Sequence, residues 1–150
     1  MQNEEKHSFN EYLEERQAQE TVDFFKTPPI KKAYFIGAYA RAVIDSSHYS
    51  EVSKGNTTFK NWLSNQIINY RNLDRVFEMA YRFEQKLQLK IRNGSEVRRL
   101  SHEIPVTSAT GISSAKISYS FVAGFDDFRK FKVKYPTIEK LNKEKEDSNV

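Results

Sequence analysis

From residue 73 to residue 87 the apolar side chains recur at intervals of three and four: Leu73, Val76, Phe77, Ala80, Phe83 and Leu87. At about 100° per residue this spacing lines one face of an α-helix, whereas the faces of a strand repeat every second residue. An amphipathic helix of this length buries its stripe only against other apolar faces, so the chain has to supply partners for it. The material available is helical. Five Gly and four Pro in 150 residues are too few for the many tight turns of an all-β chain. The apolar share is a modest 38%, but 11 Phe, 8 Tyr and 1 Trp concentrate it in large side chains. A single domain of this size buries about two thirds of its unfolded surface without staples. Cysteine is absent, which removes disulfides, thiolate metal ligands and thiol nucleophiles. The expected fold is all-α, a helical bundle of about five main helices.

Three parts are expected: an acidic N-terminal helix over residues 1–26, a helical bundle over 27–133, and a charged, flexible tail over 134–150. Ser8 and Glu11 form a capping box for a helix running to about Phe25. Its apolar stripe is thin (Phe9, Tyr12, Leu13, then Val22 and Phe25), so it protrudes or packs at its ends. Thr27-Pro28-Pro29 stops it and starts the next helix. There Ala33, Ile36, Gly37, Ala40, Val43 and Ile44 keep the three–four repeat. Gly37 costs such a helix roughly 1 kcal/mol against alanine, which points to a neighbouring backbone close by. Ser46 to Asn56 reads as a loop. Thr57 or Thr58 caps a short helix with Phe59, Trp62, Leu63 and Ile67, and Ile68 to Arg71 is a connector. Asn72 is placed to cap the striped helix and Asn93-Gly94 to end it. A short helix over Ser95–Ile104 stops at Pro105, and Val106 to Ile112 reads as a loop. Ser113 caps a last helix carrying Ile117, Phe121, Gly124, Phe125, Phe128 and Phe131; the alternation at Ser118-Tyr119-Ser120 also suits a strand over 115–123. The expected core comprises Ile36, Ala40, Val43, Trp62, Leu63, Val76, Phe77, Ala80, Phe83, Phe121 and Phe125.

Catalytic groups are sparse. His7, His48 and His102 are scattered and fall in no metal-ligating spacing, and no phosphate-binding glycine loop or nucleophile elbow occurs. Asp126 and Asp127 point about 100° apart on a helix and read as surface charges. No enzymatic activity, cofactor or metal is expected. Arg41, followed after six residues by His48, resembles the Arg/His motif of HEPN-type ribonucleases, with Ala42 where that motif carries a polar residue. No run approaches the ~18 apolar residues of a membrane span. The polar, acidic stretch from Met1 to Lys6 is no secretory signal, so the chain is expected in the cytoplasm, away from membranes.

The charges carry more. Residues 1–25 hold seven acids and two bases, residues 30–133 hold 17 bases and nine acids, and the net charge is +4. A basic body behind an acidic leader points to an anionic partner. Lys31, Lys32, Arg41, Lys60, Arg71, Arg75, Arg82, Arg98 and Arg99 are the candidate nucleic-acid contacts. Arg71, Arg75 and Arg82, with Lys86 on the same helix, decorate the striped segment; offsets of four and seven put the three arginines on one face away from the stripe. Such a face suits phosphate contacts, which are sequence-independent and salt-sensitive. The bland alternative is a solvated face laced with Glu78 and Glu84, and with it a helical protein–protein adaptor that binds no nucleic acid.

Three stretches, taken in order, resemble a known family. They are Lys32–Arg41 (KAYFIGAYAR), then Thr58–Leu63 (TFKNWL) leading into Leu73–Glu78 (LDRVFE), and Ile117–Phe125 (ISYSFVAGF). This order is similar to the C-terminal helical part of the large subunit of type I-B CRISPR interference complexes (Cascade). There an F-x-x-G-type helix precedes a short T/S-P-F-type helix, a long amphipathic helix and a late Y-x-F-x-x-G segment. The match covers roughly residues 28–128, with Thr58 where the family favours Pro, and leaves the tail unmatched. That part is also made as a separate protein, the Cascade small subunit, and type I-D and type III complexes have similar helical small subunits. The resemblance implies a non-catalytic bundle packed beside the large subunit, the backbone subunits and further copies of itself. It implies contact with crRNA and target DNA, as the guide–target duplex or the displaced strand. Guide pairing reads sequence in such complexes, so the subunit only tracks backbone.

Overall fold

The computed structural model describes residues 8–19, 28–51, 59–91, 94–103 and 112–135. Among them the regular elements are all helical: α1 (Phe9–Gln19), α2 (Pro28–Glu51), α3 (Phe59–Ser64), a 3-10 turn (Tyr70–Asn72) running into α4 (Leu73–Leu87), α5 (Gly94–Glu103) and α6 (Ser114–Lys134). The expected all-α bundle is present. The strand alternative over 115–123 is overturned, because Ser113 is extended and its hydroxyl accepts the Lys116 N–H at 3.2 Å, which starts α6 there.

The bundle is built around α2. Residues 33–40 are all buried, and no charged residue interrupts them. A helix without a wet face has to be central. It packs most extensively against α6, and against α5 and α4 on its other sides. Tyr34, Phe35, Ala38 and Tyr39 thereby join the expected Ile36, Ala40 and Val43 in the core. Where α2 crosses α6 the two backbones touch. A Cβ on Gly37 would lie 2.0 Å from the Phe121 carbonyl oxygen, and one on Gly124 would lie 1.8 Å from that of Tyr34. The close approach expected at Gly37 is therefore present, and Gly124 reciprocates it. α1 docks through Phe9 and Leu13; the Phe9 ring meets Phe128 and Phe131 edge-on at 5.2 and 5.5 Å. Its N-terminus carries half of the capping box, with the Glu11 N–H donating to the Ser8 hydroxyl at 3.2 Å. Val22, Phe25, Thr57, Thr58, Pro105 and the tail beyond Tyr135 lie outside the described residues.

Several boundaries and burials depart from expectation, each for a local reason. α2 runs through Ser46 to Glu51 instead of giving way to a loop at Ser46. Asp45 is tied to Arg41 one turn back and to Lys132 of α6, which carries the helix into its polar end. α4 is entered through Asn69, whose side chain accepts the Asn72 N–H at 3.0 Å, while Asn72 itself makes no side-chain cap. α4 ends at Leu87 and not at Asn93-Gly94: Gln88 takes the left-handed conformation with φ 50°, and Gly94 opens α5. Trp62, Leu63, Phe77, Phe83 and Phe125 are partly buried against the core instead of inside it. Asp127 is no surface charge. It is buried, and the Tyr34 hydroxyl donates to its Oδ2 at 2.5 Å. Asp126 does face outward, 3.2 Å from both Arg129 and Lys130.

Candidate nucleic-acid interface

The candidate cations divide into two groups. Arg71, Arg75 and Arg82 are exposed on α4 or its entry turn, as is Lys86. At 100° per residue Arg75, Arg82 and Lys86 fall within about 40° of one another on α4, opposite the buried Leu73, Val76 and Ala80, and Arg71 precedes them in the 3-10 turn. None of the four has an ion pair among the described residues. Glu78 lies in the same sector, and Arg75, Glu78, Met79 and Arg82 line a shallow cleft of about 450 Å³ with Asp74. Lys60 is exposed on α3, which packs on α4, and Lys31 is half-buried in the first turn of α2.

The other cations are held internally or by local acids. Lys32 reaches Asp74 at 3.4 Å and ties α2 to α4. The Arg41 Nε donates to both Asp45 oxygens at 3.0 Å, and its guanidinium stands 5.1 Å from the Phe125 ring centre. Arg99 pairs with Glu103 at 3.0 Å across an exposed turn. Arg98 donates to Glu84 Oε2 at 2.5 Å and lies over the Tyr81 ring at 5.6 Å.

Glu84 is therefore not part of a solvated lacing. It is buried and accepts from the Tyr39 hydroxyl and from Arg98, so one carboxylate joins α2, α4 and α5. Burial, then the Glu84 carboxylate, push the Tyr39 phenol far above its ordinary range and keep it a donor. The hydrogen bond to Glu84 likewise raises Arg98. The signal in the sequence is position: Glu84 stands four residues after Ala80 and three before Leu87, inside the apolar stripe. Close by, the Ser101 hydroxyl lies 3.0 Å from the Phe35 carbonyl oxygen and 2.8 Å from that of Val97, fixing α5 on α2.

A second cleft, of about 400 Å³, opens between α4 and α5 and is lined by Phe77, Tyr81, Arg98, Arg99 and His102. The Phe77 and Tyr81 rings are parallel within 2° at 6.4 Å, and His102 stacks on Phe77 at 5.8 Å. The side chain of His48, which would complete the ribonuclease-like pair with Arg41, lies outside the described residues. Among the described residues no group of three or more His, Asp or Glu could hold a metal ion, and no helix is long and apolar enough to cross a membrane. No protein-family model, curated protein or solved structure matches the chain.

Proposed function

We propose that the chain is a non-catalytic helical subunit of the Cascade small-subunit kind, working in the cytoplasm within a type I CRISPR interference complex. The observation that carries this reading is the outer face of α4 and its entry turn, where Arg71, Arg75, Arg82 and Lys86 stand exposed without ion-pair partners among the described residues. Such a row contacts the phosphates of the guide–target duplex or of the displaced strand without reading bases. The family resemblance is supported by where its motifs fall. The first and last quoted stretches lie on α2 and α6, and each contributes one glycine of the crossing at Gly37 and Gly124. The large subunit, the backbone subunits and further copies of the chain would cover other faces.

A helical adaptor without nucleic-acid binding is the second reading. It is favoured by Val122 and Val133, which are 57% and 69% exposed on α6. Salt titration of binding to a single-stranded DNA oligonucleotide separates the two. For the nucleic-acid reading, log affinity falls linearly with log salt, and Arg71→Gln with Arg75→Gln lowers that slope by about 0.7 per lost contact at unchanged helicity. Binding that ignores both salt and the substitutions favours the adaptor. Metal-independent RNA cleavage abolished by His48→Ala would instead establish the ribonuclease.

A further inference from the structure

We infer that the cleft between α4 and α5 receives one unpaired nucleobase of a strand bound along α4. This rests on the nucleic-acid reading above and adds to it a preference for single strands. The cleft of about 400 Å³ falls in the ~300–1,000 Å³ range of small-ligand sites. Three of its five lining residues carry rings: Tyr81 is 42% exposed, its ring parallel to that of the partly buried Phe77, on which His102 stacks. A large ring exposed at the mouth of a cleft, as Tyr81 is, offers a surface that every base can stack on irrespective of sequence.

The charges around the cleft favour a base over a phosphate. The Arg98 guanidinium is matched by Glu84 and that of Arg99 by Glu103, so the lining has cations without a strong net charge. Arg98 is fixed over Tyr81 by its bond to Glu84, so that wall is organised before any ligand arrives. Phosphates are served by the neighbouring face of α4, which begins about 100° around the helix from Tyr81 with Arg82. A strand lying on that face can turn a base into the cleft. A duplex, whose bases are paired and stacked internally, cannot.

The test compares three probes by fluorescence anisotropy: a single-stranded DNA oligonucleotide, an abasic strand with the same number of phosphates, and the duplex. Wild type should bind the strand with bases about 5- to 150-fold more tightly than the abasic strand, the range expected for loss of one stacked base. Tyr81→Ala should remove that preference by weakening only the strand with bases, and Tyr81→Phe should retain it. Equal affinity of wild type for both strands, or a preference that survives Tyr81→Ala, overturns the stacking site while leaving salt-dependent phosphate binding intact. Failure of wild type to bind any of the three probes overturns the nucleic-acid reading and this inference together.

Discussion

The Phe121 carbonyl occupies the place where a side chain at residue 37 would begin, and this contact, with its counterpart between Gly124 and the Tyr34 carbonyl, sets the spacing of α2 and α6. Alanine in place of a mid-helix glycine ordinarily gains roughly 1 kcal/mol. Here the added methyl meets backbone at 2.0 Å, which cannot swing aside, so Gly37→Ala should lose about 1–3 kcal/mol in denaturant unfolding. Gly124→Ala should behave alike. Because one outward shift of α6 relieves both clashes, the double variant should cost less than the two single losses together. A Gly37→Ala protein as stable as wild type would contradict the close crossing. The buried Tyr39–Glu84–Arg98 trio gives a second residue-scale prediction, in alkali. The folded-state pKa of Tyr39 is raised above the ordinary value of 10, so the folded state keeps a proton that the unfolded chain releases. That contribution is fully present below pH 10 and is lost as pH rises toward the folded value, at up to about 1.4 kcal/mol per pH unit. Melting curves above pH 10 should therefore fall more steeply for wild type than for Tyr39→Phe.

At the scale of the element, α4 shows what periodicity conveys and where it stops. Its three–four spacing identifies the helix, and offsets of four and seven identify the outer face with Arg71, Arg75 and Arg82. The depth of burial is not in the spacing. The inward face is centred on Leu73, Val76 and Ala80, and Phe77 sits at its margin, lining the cleft with α5. Leu73→Ala should thus cost ~2–5 kcal/mol. Phe77→Ala should cost about 1–2 kcal/mol, less than the usual ~3–5 kcal/mol for a fully buried Phe, in proportion to the smaller area removed from water. Equal losses at the two positions would place Phe77 in the core after all. The end of α4 was illegible because its left-handed residue is Gln88, a type that carries no compositional mark of a stop. The extent of α2 was illegible because a polar composition from Ser46 onward resembles a loop, while Lys132, which holds Asp45, is 87 residues away in sequence. The local pair of Arg41 with Asp45 could be read from its spacing of four; the pair of Arg98 with Glu84 depends on how α5 folds back on α4.

Across the whole molecule the same distinction separates cations that hold the bundle from cations that face outward. Arg41, Arg98 and Lys132 anchor carboxylates that are themselves largely covered, with Asp45 linking α2 to α6 and Glu84 linking three helices. Arg71, Arg75, Arg82 and Lys86 have no ion pair among the described residues, and Glu78 stands in the two-turn gap between Arg75 and Arg82. Neutralising the two sets should therefore have opposite signatures. Replacing Arg98 by Gln leaves the Glu84 carboxylate buried with Tyr39 as its remaining donor among these groups, and should cost about 2–3 kcal/mol, somewhat less than the ~3–5 kcal/mol for breaking a fully buried pair because Arg98 is 29% exposed. Replacing all four of these cations by Gln should change stability by no more than about 0.5 kcal/mol per position, the usual span for a surface substitution. That same variant should lose up to about 3 units of log–log salt slope on single-stranded DNA if each cation contacts one phosphate. Its affinity should converge with that of wild type as salt rises, because the term removed is the one that salt screens. Thermal melting and salt titration on the two variants provide the comparison. A four-cation variant that melts several kilocalories per mole less stable, or that binds with an unchanged slope, would show that the α4 row belongs to the framework and not to an interface.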